Sequence, residues 1–333
     1  MSLFNVPSSM AAVNGLADHM SPRIARFDVP EPGHHEVLVK VSAAGLNRAD
    51  ISQLIGRYPA PPGASTILGL EVAGTIVRVG SRVTRWREGE EICALLSGGG
   101  YAEYCTVPEG QCLPKPAHLT MAEAASLPEA CATVQNSIWR VGNLQAGETV
   151  LFHGGASGIG TTAIQVATAR GHMVYTTAGT DAKCSLATGL GAKLAVNYRT
   201  DDFAARVLAA TESRGVDLIV DMVGGSYLKR DMTCGAMNSR VVVISFLEDN
   251  EAKIDLRTMM TRGMSLLVAS IRNKAIEYKY GLMEEVRQHI WPLIESSKVR
   301  PVVDHVLPFA AVATAHELMK KGDHSGKLIL EIS

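Results

Sequence analysis

Short apolar stretches separated by turn residues fill the first 128 residues of the chain. The segment EVLVKV at 36–41 alternates apolar and polar positions, as a half-buried strand does. The same kind of pattern predicts strands at 36–41, 72–79, 91–96 and 101–107. Glycine and proline clusters lie between them, so we predict a compact β-rich domain preceded by a short mobile extension at 1–9.

The pattern changes at about residue 129, where apolar stretches typical of strands alternate with stretches typical of helices. Strands are predicted at 149–153, 173–177, 194–197, 217–221 and 240–245. Alternation at this spacing is typical of a parallel, doubly wound sheet. Further on, the pattern predicts a long helix at 275–296, a strand near 305, a helix at 310–321 and a strand at 327–332.

The length and the net charge of the chain limit the classes of protein to which it can belong. A chain of 333 residues is long enough for two domains. With 32 Lys plus Arg against 33 Asp plus Glu, the chain lacks the field that would attract nucleic acid or an anionic membrane surface, so we expect small-molecule partners. Six cysteines without a C-x-x-C pair, no secretory start and no apolar run of membrane length predict a reduced, cytoplasmic protein.

A glycine-rich loop, GGASGIG at 154–160, lies between a predicted strand and a predicted helix. Backbone N–H groups at such a helix start can bind a pyrophosphate. The match to G-x-G-x-x-G is imperfect, because taking Gly155 and Gly160 as the outer glycines puts Ser157 in the middle. A glycine-rich turn without a nucleotide is the alternative, but the strand before it and the βα units after it favour a dinucleotide.

The tip of the next strand bears on the choice of cofactor. An NAD site places a carboxylate there for the ribose 2′-OH. This strand ends in Ala178-Gly179-Thr180, with no acid and with Lys183 nearby, which favours the 2′-phosphate of NADPH. Two features leave NADH open: Asp181 lies close by, and Lys183 can also be a solvated lysine at a helix start.

Four motifs occur together in one order: GLNRAD at 45–50, LGLEVAG at 68–74, ASLPE at 125–129 and the loop at 154–160. On these motifs, residues 10–333 resemble the medium-chain dehydrogenase/reductase superfamily, and GGSY at 224–227 resembles its quinone oxidoreductase branch. The resemblance implies an α/β fold, with a GroES-like catalytic domain at 1–128 and 272–333 and a Rossmann NADPH-binding domain at 129–271. It also implies transfer of reducing equivalents from NADPH to a quinone.

The resemblance also implies that no metal is bound. Alcohol dehydrogenases of this superfamily hold a catalytic zinc with Cys, His and Cys, where this chain has Asn47, Leu70 and Glu129. The four-cysteine lobe for a structural zinc is missing, because 95–108 contains only Cys105. Without a Lewis acid, we expect reduction of an already electrophilic acceptor rather than oxidation of an alcohol.

The same resemblance assigns site residues. Asn47 and Thr133 are placed near the nicotinamide, with Asn47, Tyr58 and Ser157 as the catalytic set. The expected cofactor contacts are Asn47, Thr133, Gly155, Ala156, Ser157, Gly158, Ile159, Gly160, Gly179, Thr180, Lys183, Tyr198, Ser245, Phe246, Leu247 and Lys327. Tyr58 can stack on a flat acceptor and offer a phenolic proton, although a surface loop tyrosine beside prolines remains the alternative.

Other features receive plainer interpretations or leave alternatives open. We interpret His153 as a hydrogen-bonded packing histidine and Cys131 as a small buried thiol without a basic partner. The apolar segment at 264–271 is predicted to be a last strand at a sheet edge, where pairing with its twin would give a homodimer. Two alternative functions remain: reduction of the C=C bond of an alkenal or enone, and a weakly catalytic, crystallin-like NADPH-binding protein that binds RNA.

Overall fold

The computed structural model describes residues 4–15 and 21–332, and its contacts divide the chain into two compact units. The first unit consists of Met1–Ala132, Arg272–Glu295 and Pro301–Ser333, and the second of Thr133–Ile271 and Ser296–Arg300. Sequence analysis puts the boundaries after residues 128 and 271. The contacts differ by assigning 129–132 to the first unit and 296–300 to the second.

Fifteen strands and eleven α-helices form the described chain. The strands are β1 (Ser9–Val13), β2 (Ile24–Asp28), β3 (Glu36–Gly45), β4 (Glu71–Val79), β5 (Glu91–Leu95), β6 (Tyr104–Pro108), β7 (Cys112–Pro114), β8 (Thr149–Phe152), β9 (Met173–Ala178), β10 (Leu194–Asn197), β11 (Val216–Asp221), β12 (Gly235–Val243), β13 (Ser265–Val268), β14 (Val303–Pro308) and β15 (Lys327–Glu331). The helices are α1 (Arg48–Leu54), α2 (Met121–Ala124), α3 (Pro128–Val134), α4 (Gly158–Ala169), α5 (Asp181–Gly189), α6 (Phe203–Ala210), α7 (Tyr227–Cys234), α8 (Leu256–Arg262), α9 (Ile276–His289), α10 (Trp291–Glu295) and α11 (Val312–Lys321). A π-helical segment, Gln135–Val141, follows α3.

The first unit is built on a mixed seven-stranded sheet in the order β14-β15-β3-β4-β5-β7, with β6 paired to β3 and a separate β1-β2 hairpin. The strands predicted at 36–41, 72–79, 91–96 and 101–107 correspond to β3, β4, β5 and β6, which confirms the β-rich domain. Valine side chains at alternate positions of β3, Val37, Val39 and Val41, are buried in its core. This packing fixes the end of β3, which leads directly into the candidate site.

The second unit is a six-stranded sheet in the order β10-β9-β8-β11-β12-β13, and every neighbouring pair is parallel. Counted by order along the chain, this is the 3-2-1-4-5-6 order of the Rossmann fold. Every residue of β11 is buried, as expected for a strand covered by helices on both faces. The predicted doubly wound sheet is therefore confirmed.

Two predictions about local structure are wrong. The single helix predicted at 275–296 is divided into α9 and α10, because Pro292 lies in the first turn of α10 and has no N–H to continue a preceding helix. The mobile extension predicted at 1–9 is packed where it is described, since Phe4 and Val6 lie against a cluster that includes Met10. Residues 1–3 of that extension lie outside the described residues.

Within residues 4–15 and 21–332, no helix has the combined length and apolar character of a membrane-spanning segment.

Candidate active site and cofactor site

A buried ion pair between Lys327 and Glu71 is at the centre of the candidate site in the first unit. Lys327 begins β15 and Glu71 begins β4, and the sheet brings both to the end of β3. The Lys327 ammonium also donates to Asn47 Oδ1 and to the Leu46 carbonyl oxygen, both at 2.8 Å. Three acceptors use the three protons of the ammonium, so the cofactor contact assigned to Lys327 stays a prediction.

Asn47 is held from several sides. Its Nδ2 donates to Glu71 Oε1 at 2.9 Å, and its backbone N–H donates to Asp50 Oδ2 at 2.8 Å, because Asn47 is the N-cap of α1. The Tyr101 hydroxyl donates to the same Asp50 oxygen at 2.7 Å. Burial raises the pKa of Asp50 to about 6, although these hydrogen bonds oppose the rise. The side chain that sequence analysis placed near the nicotinamide is therefore fixed in one orientation.

Glu129 joins this network through its backbone. Its N–H, in the first turn of α3, donates to Glu71 Oε2 at 2.9 Å. Burial and the nearby Glu71 carboxylate raise the pKa of the Glu129 carboxyl to about 8, with Lys327 opposing the rise. The sequence indicates Glu129 only as the replacement of a zinc ligand, and its role as an acid is visible only in the structure. The available signal was a single carboxyl group in the apolar segment LPEACA.

Arg272 holds the loop that carries Tyr58. The buried guanidinium donates to the Tyr58 carbonyl oxygen at 3.0 Å and to the Ser97 carbonyl oxygen at 2.9 Å, and it also donates to Gln53 Oε1. Its central carbon lies 5.1 Å from the centroid of the Tyr58 ring. Lys279 supports Arg272 by donating to its carbonyl oxygen at 2.8 Å. Tyr58 is therefore a half-buried, supported side chain and not a free surface tyrosine.

In the second unit, the glycine-rich loop connects β8 to α4. Ser157 is the N-cap of α4, because its Oγ accepts from the Gly160 N–H at 3.0 Å. A Cβ on Gly160 would lie 2.2 Å from the Gly154 carbonyl oxygen, so only glycine allows this close approach. The loop therefore presents the N-terminus of α4 as an anion-binding end. The Ser157 hydroxyl already caps the helix, and its catalytic role stays a prediction.

Gly179, Thr180 and Tyr198, three of the residues expected around the 2′-phosphate, lie at or near the tip of β9. A Cβ placed on Gly179 would lie 2.8 Å from the Tyr198 hydroxyl and 3.4 Å from Arg199 Nε. Thr180 caps α5 by accepting from the Lys183 N–H at 3.3 Å. Sequence analysis found all of these residues except Arg199, whose only signal was its position directly after Tyr198. The Arg199 guanidinium places a cation at this tip.

Comparison with known proteins adds to this geometry. The alcohol dehydrogenase GroES-like domain family matches residues 33–117, and the zinc-binding dehydrogenase family matches residues 190–330. Quinone oxidoreductase from Lama guanicoe is 30% identical over 307 residues, which cover 91% of this chain and 90% of that protein. This chain belongs to the quinone oxidoreductase branch of the medium-chain dehydrogenase/reductase superfamily.

The relatives of this medium-chain oxidoreductase include larger proteins. A phenolphthiocerol/phthiocerol polyketide synthase chain of Mycobacterium tuberculosis is 29% identical over 307 residues, and these cover 90% of this chain but only 14% of that protein. A mycobacterial structure complexed with NADPH has a TM-score of 0.86 at 26% identity, covering 97% of this chain and all of that one. The CurK enoyl reductase structure has a TM-score of 0.84 at 25% identity, covering 98% and 100%.

The structure distributes the assigned residues of this oxidoreductase over its two units. Asn47, Tyr58 and Lys327 belong to the first unit, and all the other assigned cofactor contacts belong to the second. In the second unit, the Gly155 N–H donates to the Thr177 carbonyl oxygen at 2.9 Å, which joins the glycine-rich loop to β9. Ser245, Phe246 and Leu247 follow β12, and the last two have exposed side chains.

His153 and Cys131 have the plain roles assigned to them. The buried His153 ring pairs through Nδ1 with Thr177 Oγ1 at 2.9 Å and through Nε2 with Asp231 Oδ1 at 2.8 Å. This confirms a hydrogen-bonded packing histidine. Burial raises the pKa of the Cys131 thiol well above its ordinary value, so the thiol is uncharged and a poor nucleophile.

Proposed function

We propose that this oxidoreductase transfers reducing equivalents from NADPH to a quinone without zinc. The observation that carries the proposal is the donor set at the site. Asn47 and Glu129 offer an amide and a carboxyl, and the buried Leu70 offers no donor, whereas zinc in this superfamily is held by thiolate and imidazole. The Lys327 ammonium already neutralises Glu71 and bonds to Asn47. The residues therefore do not fit a catalytic zinc.

The residues of the second unit do fit a dinucleotide. The N-terminus of α4 and the close approach permitted by Gly160 suit a pyrophosphate. The Tyr198 hydroxyl and Arg199 Nε lie near Gly179 at the tip of β9, and Lys183 follows in the first turn of α5, where the 2′-phosphate of NADPH would be held. When bound, the nicotinamide supplies the hydride. On the acceptor side, Tyr58 offers a flat ring held by Arg272, which suits an aromatic acceptor such as a quinone.

Reduction of an activated C=C bond is the second candidate function. This reaction uses the same cofactor and also needs no metal. The similarity to the CurK enoyl reductase, at 25% identity over 98% of this chain, favours it. The acceptor is then an enone or an unsaturated thioester, and its carbonyl oxygen takes the place of the quinone oxygen.

Steady-state assays with NADPH, a panel of quinones and a panel of α,β-unsaturated carbonyl compounds test these two functions. We expect kcat/KM for the best quinone to exceed that for the best enone by about tenfold or more, which corresponds to roughly 1.4 kcal/mol of transition-state stabilisation. Excess chelator should leave both rates unchanged. The reverse order would favour the C=C reductase, and loss of activity with chelator would contradict zinc independence.

We also propose that the enzyme is a homodimer through the β13 edge. β13 is the last strand of the second unit's sheet, and its Val268 is 76% exposed. Leu256 and Met260, on the helix α8 that precedes β13 in the chain, are 73% and 80% exposed. An exposed apolar edge invites pairing with a second copy. We expect a dimer mass by light scattering at micromolar concentration, and a monomer for Val268→Lys. Val306→Lys, on the exposed β14 edge of the first unit, is the control and should stay dimeric.

A further inference from the structure

Glu129 is the one carboxyl group of the first unit's site that no hydrogen bond holds. Glu71 is fully buried and accepts from Lys327, Asn47 and the Glu129 N–H. Asp50 is also buried and accepts from Tyr101. Glu129 is a half-buried residue, and within the described chain no hydrogen-bond donor reaches its carboxyl oxygens. It is therefore the acid of this cluster that remains available to a ligand.

Among the described residues, five charged groups and one phenol act on this carboxyl. They are the carboxylates Glu71 and Asp50, the cations Lys327, Arg272 and Lys279, and the phenol Tyr58. Burial and the two carboxylates outweigh the cations, so the pKa of Glu129 rises to about 8. Most Glu129 side chains therefore carry a proton at neutral pH. Glu71, by contrast, is paired with Lys327.

We propose that Glu129 donates the proton to the oxygen of the acceptor, an inference that rests on the proposed NADPH-dependent reduction. The acceptor gains two electrons and a hydrogen as hydride from NADPH, which leaves as NADP⁺. The O–H bond of Glu129 breaks and an O–H bond forms on the acceptor oxygen. Glu129 is left as a carboxylate and regains a proton from solvent, so each turnover consumes one acceptor, one NADPH and one proton.

The groups around Glu129 suit this proton transfer both before and after the proton leaves. After donation, the Glu129 carboxylate faces the positive charges of Lys327, Arg272 and Lys279, which stabilise it. A donor is most effective when its pKa lies near the working pH. Burial raises the pKa of the neighbouring Tyr58 phenol above its ordinary value of 10, so the phenol is the weaker acid of the two. The role that we assign to Tyr58 is therefore to bind the flat face of the acceptor.

Glu129→Gln removes the acidic proton and keeps the size of the side chain. We expect kcat for quinone reduction to fall by about 10²- to 10⁴-fold, the usual contribution of a general acid. In the wild type, kcat should decline as the pH rises through about 8, and this decline should disappear in Glu129→Gln. The Kd for NADPH should not change. Glu129→Asp, which keeps the acid on a shorter arm, should recover part of the rate.

Glu277→Gln is the matched control, because Glu277 is an exposed carboxylate at the start of α9 and should leave rate and pH profile unchanged. A second readout needs no turnover: difference infrared titration should show a protonated carboxyl band that disappears near pH 8 and is missing in Glu129→Gln. Full activity of Glu129→Gln, or no such band at pH 7, overturns the donor role alone. A wild-type enzyme that reduces no acceptor overturns the proposed function and the donor role together, even with the band present.

Discussion

Lys327→Met is expected to lower the free energy of unfolding of the first unit by about 3–5 kcal/mol, the usual cost of removing one partner of a buried ion pair. Lys327 is 5% exposed and Glu71 fully buried, so water cannot replace the lost ammonium. The variant also leaves Asn47 Oδ1 and the Leu46 carbonyl oxygen without this donor. Urea unfolding followed by tryptophan fluorescence measures the effect, since Trp86 is buried in the core of this unit.

Two further variants separate charge from packing. Combining Glu71→Met with Lys327→Met removes both charges, and most of the lost stability should return because no unpaired charge remains. Lys320→Met breaks an exposed pair with Glu317 and should cost no more than about 1 kcal/mol. A loss for Lys327→Met as small as that for Lys320→Met would show that the buried pair contributes little. Additive losses in the double variant would contradict the coupling.

The sequence predicts those features of the structure that depend on residues close together in the chain. The strand and helix patterns are local, and so is the glycine-rich loop, where Gly160 is required by its own neighbour Gly154. Pro292 also carried a readable signal for the break between α9 and α10, which the prediction of one helix overlooked. Local signals of this kind were enough for both units of the fold.

The chemistry of the first unit's site depends on contacts that no local pattern contains. Lys327 lies 256 positions from Glu71, and Arg272 lies 214 positions from Tyr58. Each pair joins segments that lie far apart in the chain, so neither spacing nor composition marks it. The resemblance assigned Lys327 to the cofactor, whereas its protons are used by Glu71, Asn47 and Leu46. Folding creates this network, and only the folded structure could place Glu129 within it.

Lys183→Ala is expected to weaken NADPH binding by about 1.5–3 kcal/mol, the value of a hydrogen bond to a charged group, which is roughly a 10- to 150-fold rise in Kd. NADH binding should hardly change, because NADH has no 2′-phosphate. Arg199→Ala should show the same selective loss, since its Nε lies near the β9 tip. Lys193→Ala is the matched control: this exposed lysine precedes β10, at the opposite end of the strand from Tyr198.

Gly179→Asp should shift the preference towards NADH for two physical reasons. The new carboxylate repels a 2′-phosphate and can accept a hydrogen bond from a ribose hydroxyl. The Cβ also comes within 2.8 Å of the Tyr198 hydroxyl, so the phenol must move from the tip, where it could otherwise bond to the phosphate. Titration of both cofactors against wild type and variants measures the shift. Equal losses of NADH and NADPH in Lys183→Ala, or an unchanged ratio in Gly179→Asp, would refute the assignment, because the phosphate would then be held elsewhere.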